Sequence, residues 1–288
     1  GKCLRENTTG SNNTAIGKSA LIDNTTASNN TAVGKEALGA NTTGDNNTAV
    51  GSLALDANTT GVSLVAVGYG ALGANTTANQ NVAVGQNALG SNTTGTKNTA
   101  SGHDALVSNT TGIQNNAFGH NALSSNTTGS FHVAVGELSI GANTTGSDNT
   151  GCGHRTLQLN TTGSNNVAVG ANALDANTTA SNNTAVGKDA LGANTTGANN
   201  VAVGAAAGDK VTTGSNITIG VDSGHSDSPS GAITTGSNNI CLGNNSISNL
   251  FCADTSISSS DSRDKTDIVD FTKGLDWIKA LRPVTYRW

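Results

Sequence analysis

Asn177-Thr178-Thr179-Ala180-Ser181-Asn182-Asn183-Thr184-Ala185-Val186-Gly187-Lys188-Asp189-Ala190-Leu191-Gly192-Ala193 is one copy of a unit that begins again at Asn194. The triplet Asn-Thr-Thr starts at positions 7, 24, 41, 58, 75, 92, 109, 126, 143, 160, 177 and 194, a spacing of 17 without a slip. A glycine closes the short apolar piece of each copy, from Gly17 and Gly34 through Gly187 and Gly204. A fixed period held over so many residues without insertion is the signature of a solenoid, in which each copy is one coil stacked on the next.

Composition fits that reading and no ordinary globular core. Of 288 residues, 37 are Gly, aromatics are 3 % and Met is absent. A low-complexity chain would share these biases, but disorder does not require Val, Ala, Leu and Gly to keep register. The charge is light, 14 basic against 19 acidic residues. There is no basic stripe for nucleic acid and no apolar run of the ~20 residues that span a bilayer. The spacings of Cys3, Cys152, Cys241 and Cys252 match no metal motif. Cys152 takes a slot usually filled by Ala or Val and reads as a small apolar filler. Neither a cofactor nor a metal is expected.

Each coil is expected to hold two short extended pieces. In the first, Asn-Asn-Thr-Ala-Val-Gly, alternation turns the Thr or Val before Ala and the Val or Ile after it inward, with Phe118 in the second inward slot of its copy. Ala then faces outward. The second piece is the Ala-Leu pair, such as Ala37-Leu38, whose Leu completes the interior. Asn-Thr-Thr-Gly makes the return through a tight bend. The twelve Asn-Thr-Thr triplets are formally glycosylation sequons, but rungs about 4.8 Å apart favour Asn and Thr ladders. Ice-binding solenoids use a flat Thr-x-Thr face, whereas here the two Thr are adjacent. His103, His120 and His154 follow the coil glycine, a slot that Lys18, Lys35 and Lys188 fill elsewhere, and read as solvated surface.

So thin a core invites association. The outward column Ala32, Ala49, Ala66 and Ala83 would let backbones approach closely, and three chains suit a fibre. Thirteen or so coils at this rise give a rod of roughly 60 Å. Copies differ after Gly44, Gly61, Gly112 and Gly129, at Asp45, Val62-Ser63-Leu64, Ile113-Gln114 and Ser130-Phe131-His132, and Leu64 and Phe131 break a polar site. Leu64, Phe131 and His132 are therefore candidate receptor contacts, or fillers of a groove between chains, the groove being preferred.

The repeats Asn-Asn-Thr-Ala-Val-Gly and Asn-Asn-Val-Ala-Val-Gly resemble the head repeats of trimeric autotransporter adhesins over residues 7–220, although the period of 17 is longer than theirs. That resemblance implies a homotrimeric, left-handed parallel β-roll. The fold class expected is all-β: a parallel β-solenoid shaft over residues 1–220, irregular last coils with an inserted loop and cap over 221–259, and a short α-containing segment over 260–288. The inserted loop is placed at Val221–Ser230, and a helix at 273–281, where Leu275, Ile278 and Leu281 share a face and Pro283 stops it.

Ser260-Asp261-Ser262-Arg263-Asp264-Lys265, followed by Leu281-Arg282-Pro283-Val284, resembles the start of the self-cleaving intramolecular chaperone of phage endosialidases, tailspikes and tail fibres. The resemblance implies that Ser260 is the nucleophile, Lys265 the base and Ser260–Asp261 the scissile bond. A lysine acts as a base only where burial or a neighbouring cation lowers its pKa. No substrate-turnover enzyme is expected, only a single self-cleavage. The expectation is a virion-surface fibre with a host receptor or glycan and other fibre or baseplate proteins as partners, and with neither nucleic acid nor membrane insertion. A cellular trimeric adhesin at the extracellular surface, or the non-catalytic part of a glycan-degrading tailspike, is the alternative. The chain starts at Gly1 and carries about 28 residues of a longer domain at its end, so sequence is expected on both sides.

Overall fold

The computed structural model describes residues 2–226, 228 and 231–248. These make up nearly all of the first of two units into which the chain divides, Gly1–Ile247 and Ser248–Trp288. The expected helix at 273–281 lies outside the described residues, among which there is no helix.

The Thr-Ala-Val pieces become strands of three residues: β1 (Thr14–Ile16), β2 (Thr31–Val33), β3 (Thr48–Val50), β4 (Val65–Val67), β5 (Val82–Val84), β6 (Thr99–Ser101), β7 (Asn116–Phe118), β8 (Val133–Val135), β9 (Thr150–Cys152), β10 (Val167–Val169), β11 (Thr184–Val186), β12 (Val201–Val203), β13 (Ile217–Ile219) and β14 (Ile240–Leu242). They form one parallel sheet in sequence order. The register repeats the sequence period, Ala32 opposite Ala49 and Ala49 opposite Ala66. The chain is thus a parallel β-solenoid with one strand per 17-residue coil.

The faces are the reverse of those expected. Ala32, Ala49, Ala66 and Ala83 are fully buried, while Val50, Val67 and Val84 are 36–41 % exposed and Phe118 is 43 % exposed. The reason is space. The opposite wall of the coil supplies a buried Ala and a buried Leu, for example Ala54 and Leu55, and only a small residue fits between them and the strand. The Ala column is interior filling and the branched residues form the outer surface.

The Ala-Leu piece is also not extended. Ala37 N–H bonds to Gly34 O at 3.5 Å and Gly39 N–H to Glu36 O at 3.1 Å, two successive turns. Their third residues, Glu36 and Leu38, have φ of 59° and 51°, as turns of this kind demand. A left-handed Leu costs roughly 1–2 kcal/mol. Burying its side chain returns about 1.5–3 kcal/mol, and Leu21, Leu38, Leu55 and their successors through Leu174 are all completely buried.

Two asparagine columns complete the interior. In the first, Asn58 Nδ2 donates to Asn41 Oδ1 at 2.9 Å and to Gly61 O at 3.1 Å, and Asn75 Nδ2 donates in turn to Asn58 Oδ1 at 2.9 Å. This is the Asn of Asn-Thr-Thr, and from Asn24 to Asn194 it is fully buried. Its amide is committed to the ladder. The next residue adds a hydroxyl rung, Thr42 Oγ1 donating to Thr59 O at 3.1 Å. The second column runs through Asn30, Asn47, Asn81 and Asn98, all fully buried. There Oδ1 accepts the next coil's backbone N–H, as Asn47 N–H to Asn30 Oδ1 at 2.9 Å.

Departures from the unit come with compensations. Gly151 replaces the strand Ala, and a Cβ there would sit 2.5 Å from Ser139 Oγ and 2.6 Å from Thr156 Oγ1. Those hydroxyls bond each other at 2.7 Å in full burial. At the C-terminal end the step from β12 to β13 shortens, Val201 opposite Ile217, and the next lengthens, Ile217 opposite Ile240. Val221–Gly224 do not leave the coil as expected. Ser223 occupies the Ala slot, since Gly208 N–H bonds Ser223 O at 2.7 Å just as Leu191 N–H bonds Ala207 O at 3.0 Å. Gly208 lacks the Leu side chain, and the fully buried Val211 stands beside it.

Candidate functional site

The outer face of the sheet is an exposed, mostly apolar stripe. Each strand points its first and third side chains outward. The third column runs Ile16, Val33, Val50, Val67, Val84, Ser101, Phe118, Val135, Cys152, Val169, Val186, Val203, Ile219 and Leu242. Only Ser101 and Cys152 interrupt its apolar side chains. The exposed Cys152 is therefore a surface residue and not a filler. The first column mixes Thr and Asn116 with Val and, in the last two strands, Ile217 and Ile240. Fourteen rungs make a stripe about 60 Å long. Contiguous apolar surface of more than a few hundred Å² (roughly 300–600 Å² is the usual maximum) marks an interaction face.

The three receptor-contact candidates separate in the structure. Leu64 and His132 have no exposed surface. Both occupy the second asparagine column and point into the coil, so neither forms part of the folded surface. Their departure from the repeat suggested a surface contact, but the period fixes that slot inward. Phe131 is 49 % exposed, at a left-handed position with φ 63°. The exposed side chain therefore belongs to the residue before the buried one.

The histidine column lies on the surface beside the coil glycines. The rings of His103 and His120 are 5.4 Å apart. His103 Nδ1 is 3.1 Å from Asp104 Oδ2 and His120 Nδ1 is 3.7 Å from Glu137 Oε1. No group of three or more His, Cys, Asp or Glu is placed to hold a metal among the described residues. Among them, no helix is long and apolar enough to cross a membrane. A shallow groove of about 210 Å³ lies on the side of the coils, between Leu138 and Leu159. Leu159 is 51 % exposed, and sequence reading passed over it because Leu is unremarkable outside its structural slot.

Ser260, Asp261 and Lys265 lie outside the described residues. Their sequence is informative by itself: residues 260–288 match the family described as Chaperone of endosialidase. The match starts at the candidate nucleophile and covers only the end of the chain. No curated protein and no solved structure matches the chain. The solenoid is therefore read from its own geometry.

Proposed function

We propose that the chain is the shaft of a homotrimeric virus or phage fibre, of the tail-fibre or tailspike kind, that attaches to a host surface. The observation that carries this reading is a repeat solenoid followed in sequence by a Chaperone of endosialidase match at residues 260–288. A solenoid with a long apolar face needs partners before it is soluble, and a chaperone segment downstream is suited to bringing copies together. The interface is the Val and Ile face of the sheet and not the Ala column, because alanine is interior. Three stripes of this length, packed about a common axis, would each take a continuous apolar strip out of water.

In this reading Ser260 is the nucleophile, Lys265 its base, and Ser260–Asp261 the bond that breaks once the trimer has formed. Host recognition, whether of a protein or a glycan, uses side chains that stay outside the trimer, with Phe131 and the Leu138–Leu159 groove as candidates. Other fibre or baseplate proteins would hold the shaft on the virion. An extracellular cell-bound trimeric adhesin shares the shaft but not the chaperone match, which is why the viral reading is preferred.

The test is intact mass and light scattering on the wild-type chain and on Ser260→Ala. A trimer that ends at Ser260 in the wild type and keeps its tail in the variant is the expected result. A tail retained by both means that Lys265 is no base here and that the segment serves assembly alone. A monomeric shaft overturns the fibre reading.

A further inference from the structure

From Asn30 to Asn216 the second inward column is asparagine in every coil except at Leu64 and His132. An asparagine there has two tasks. Asn98 Oδ1 accepts the backbone N–H of Asn115 at 2.9 Å, and Asn115 Nδ2 donates to Gly129 O at 3.0 Å. His132 performs both with a ring. Its Nδ1 accepts the backbone N–H of Asn149 at 3.2 Å, and its Nε2–H donates to Gly146 O at 2.7 Å. Asn143 Nδ2 donates to the same Gly146 carbonyl at 3.0 Å. These partners assign the neutral Nε2–H tautomer, because an N–H at Nδ1 would face another N–H. The ring is fully buried, so no water can take over that contact.

We propose that His132 makes its coil an acid-sensitive latch: protonating the buried ring turns the Nδ1 acceptor into a donor aimed at the Asn149 N–H and opens the shaft locally between the coils of residues 116–149. An asparagine cannot titrate, so the coils that carry one hold at the same pH. The groups that meet the ring are the Gly146 carbonyl, the Asn143 amide and the Asn149 N–H, with Asn115 Oδ1 holding the His132 backbone N–H at 3.1 Å. None of these titrates. The charged group that acts on it is the exposed Asp148, which favours the proton, but burial outweighs it and holds His132 below the ordinary imidazole value of 6.5. The sign follows. The latch contributes fully above the unfolded value of 6.5 and is lost as pH falls from there toward the lower folded value. The local opening equilibrium then rises by up to about tenfold per pH unit.

The experiment compares the full chain with His132→Asn and His132→Leu, by hydrogen exchange and thermal melting at about pH 7.5 and about pH 5.0, exchange being corrected for its intrinsic pH dependence. His132→Asn restores the column, and His132→Leu fills the slot as Leu64 does without titrating. The wild type is expected to lose protection at Val133 and Asn149 in acid, while both variants keep their own neutral-pH protection. Burial raises the carboxyl pKa of Asp56 and Asp175 above 3.8. Falling pH relieves that cost and moves stability the other way, equally in all three chains. An acid response of the same size in wild type and His132→Asn overturns the proposal, as does a His132→Leu chain as acid-sensitive as the wild type. The latch rests on coil geometry and stands or falls separately from the fibre reading.

Discussion

The two buried asparagine columns look alike in sequence and do different work. Asn109 donates to Asn92 Oδ1 and Gly112 O and accepts from Asn126 Nδ2, three contacts in full burial. Asn115 donates to Gly129 O and accepts the His132 N–H. Its column already tolerates a leucine at position 64. Asn109→Leu is therefore expected to destabilise its coil by about 3 kcal/mol and Asn115→Leu by about 1–2 kcal/mol. Hydrogen exchange across residues 92–132 measures both, and equal losses would refute the distinction. The ladder of Asn-Thr-Thr was legible from spacing alone. The second ladder was not, because Asn-Asn offers two candidates per coil and only the second one points inward. The first, such as Asn46, sits exposed with φ 59°, where its tolerance of left-handed backbone is the useful property. That one-residue ambiguity put Leu64 and His132 on the surface in the sequence reading, beside Phe131, which is there.

At the scale of the strand, sequence alternation said that Ala opposes its neighbours but not which face is inside. Deciding that required the Ala-Leu turn, whose left-handed Leu no propensity scale anticipates. Once Leu55 and its equivalents fill one wall, alanine is forced onto the other. The same crowding fixes the coil glycine. Gly102 has φ 143°, and a Cβ there would lie 2.4 Å from the Gly119 carbonyl oxygen. Gly102→Ala sets side chain against backbone in an unfavourable dihedral, so a loss of ~3 kcal/mol or more is expected. A Cβ at Gly44 would also meet a backbone oxygen, that of Gly61 at 2.2 Å, but the φ of Gly44 is not left-handed. Ala27, Ala78 and Ala180 in the equivalent slot show that the backbone there can shift, so Gly44→Ala is expected to cost about 1 kcal/mol. Melting curves of the two variants decide the matter. Comparable losses would mean that the φ of Gly102 is incidental. Internal exchanges such as Gly151 with Ser139 and Thr156 were invisible in sequence, since residues 5 to 17 apart read as unrelated until the coil brings them together.

For the whole molecule, the reversal of faces changes what assembly depends on. An alanine interface would be closed by any bulky substitution, charged or not. A Val and Ile face instead fails when charge is buried on it. Val186→Asp places one carboxylate per chain at a position 37 % exposed in the single chain. If the trimer proposed above forms through this face, the variant is expected to yield folded monomers. Light scattering together with circular dichroism reads both properties, and an intact trimer would remove this face from the interface. The rod itself was legible because its period is strict. Residues 260–288 were legible through resemblance and the family match, whereas nothing in a uniform repeat names what it touches.

The in-register pairing makes the chain a ruler with one graduation. Gain or loss of one complete copy adds or removes one rung, about 4.8 Å, and every remaining ladder finds its old partner. A change of one residue within the uniform part instead misaligns the Ala, Leu and both Asn columns above it. The step from β12 to β13 omits a residue only where Val211 stands in for the missing leucine of Gly208. Reach can therefore vary by tandem duplication or deletion of a 17-residue unit without any new solution to folding. Shafts of different length built this way should share one melting profile per coil while differing in span by whole steps.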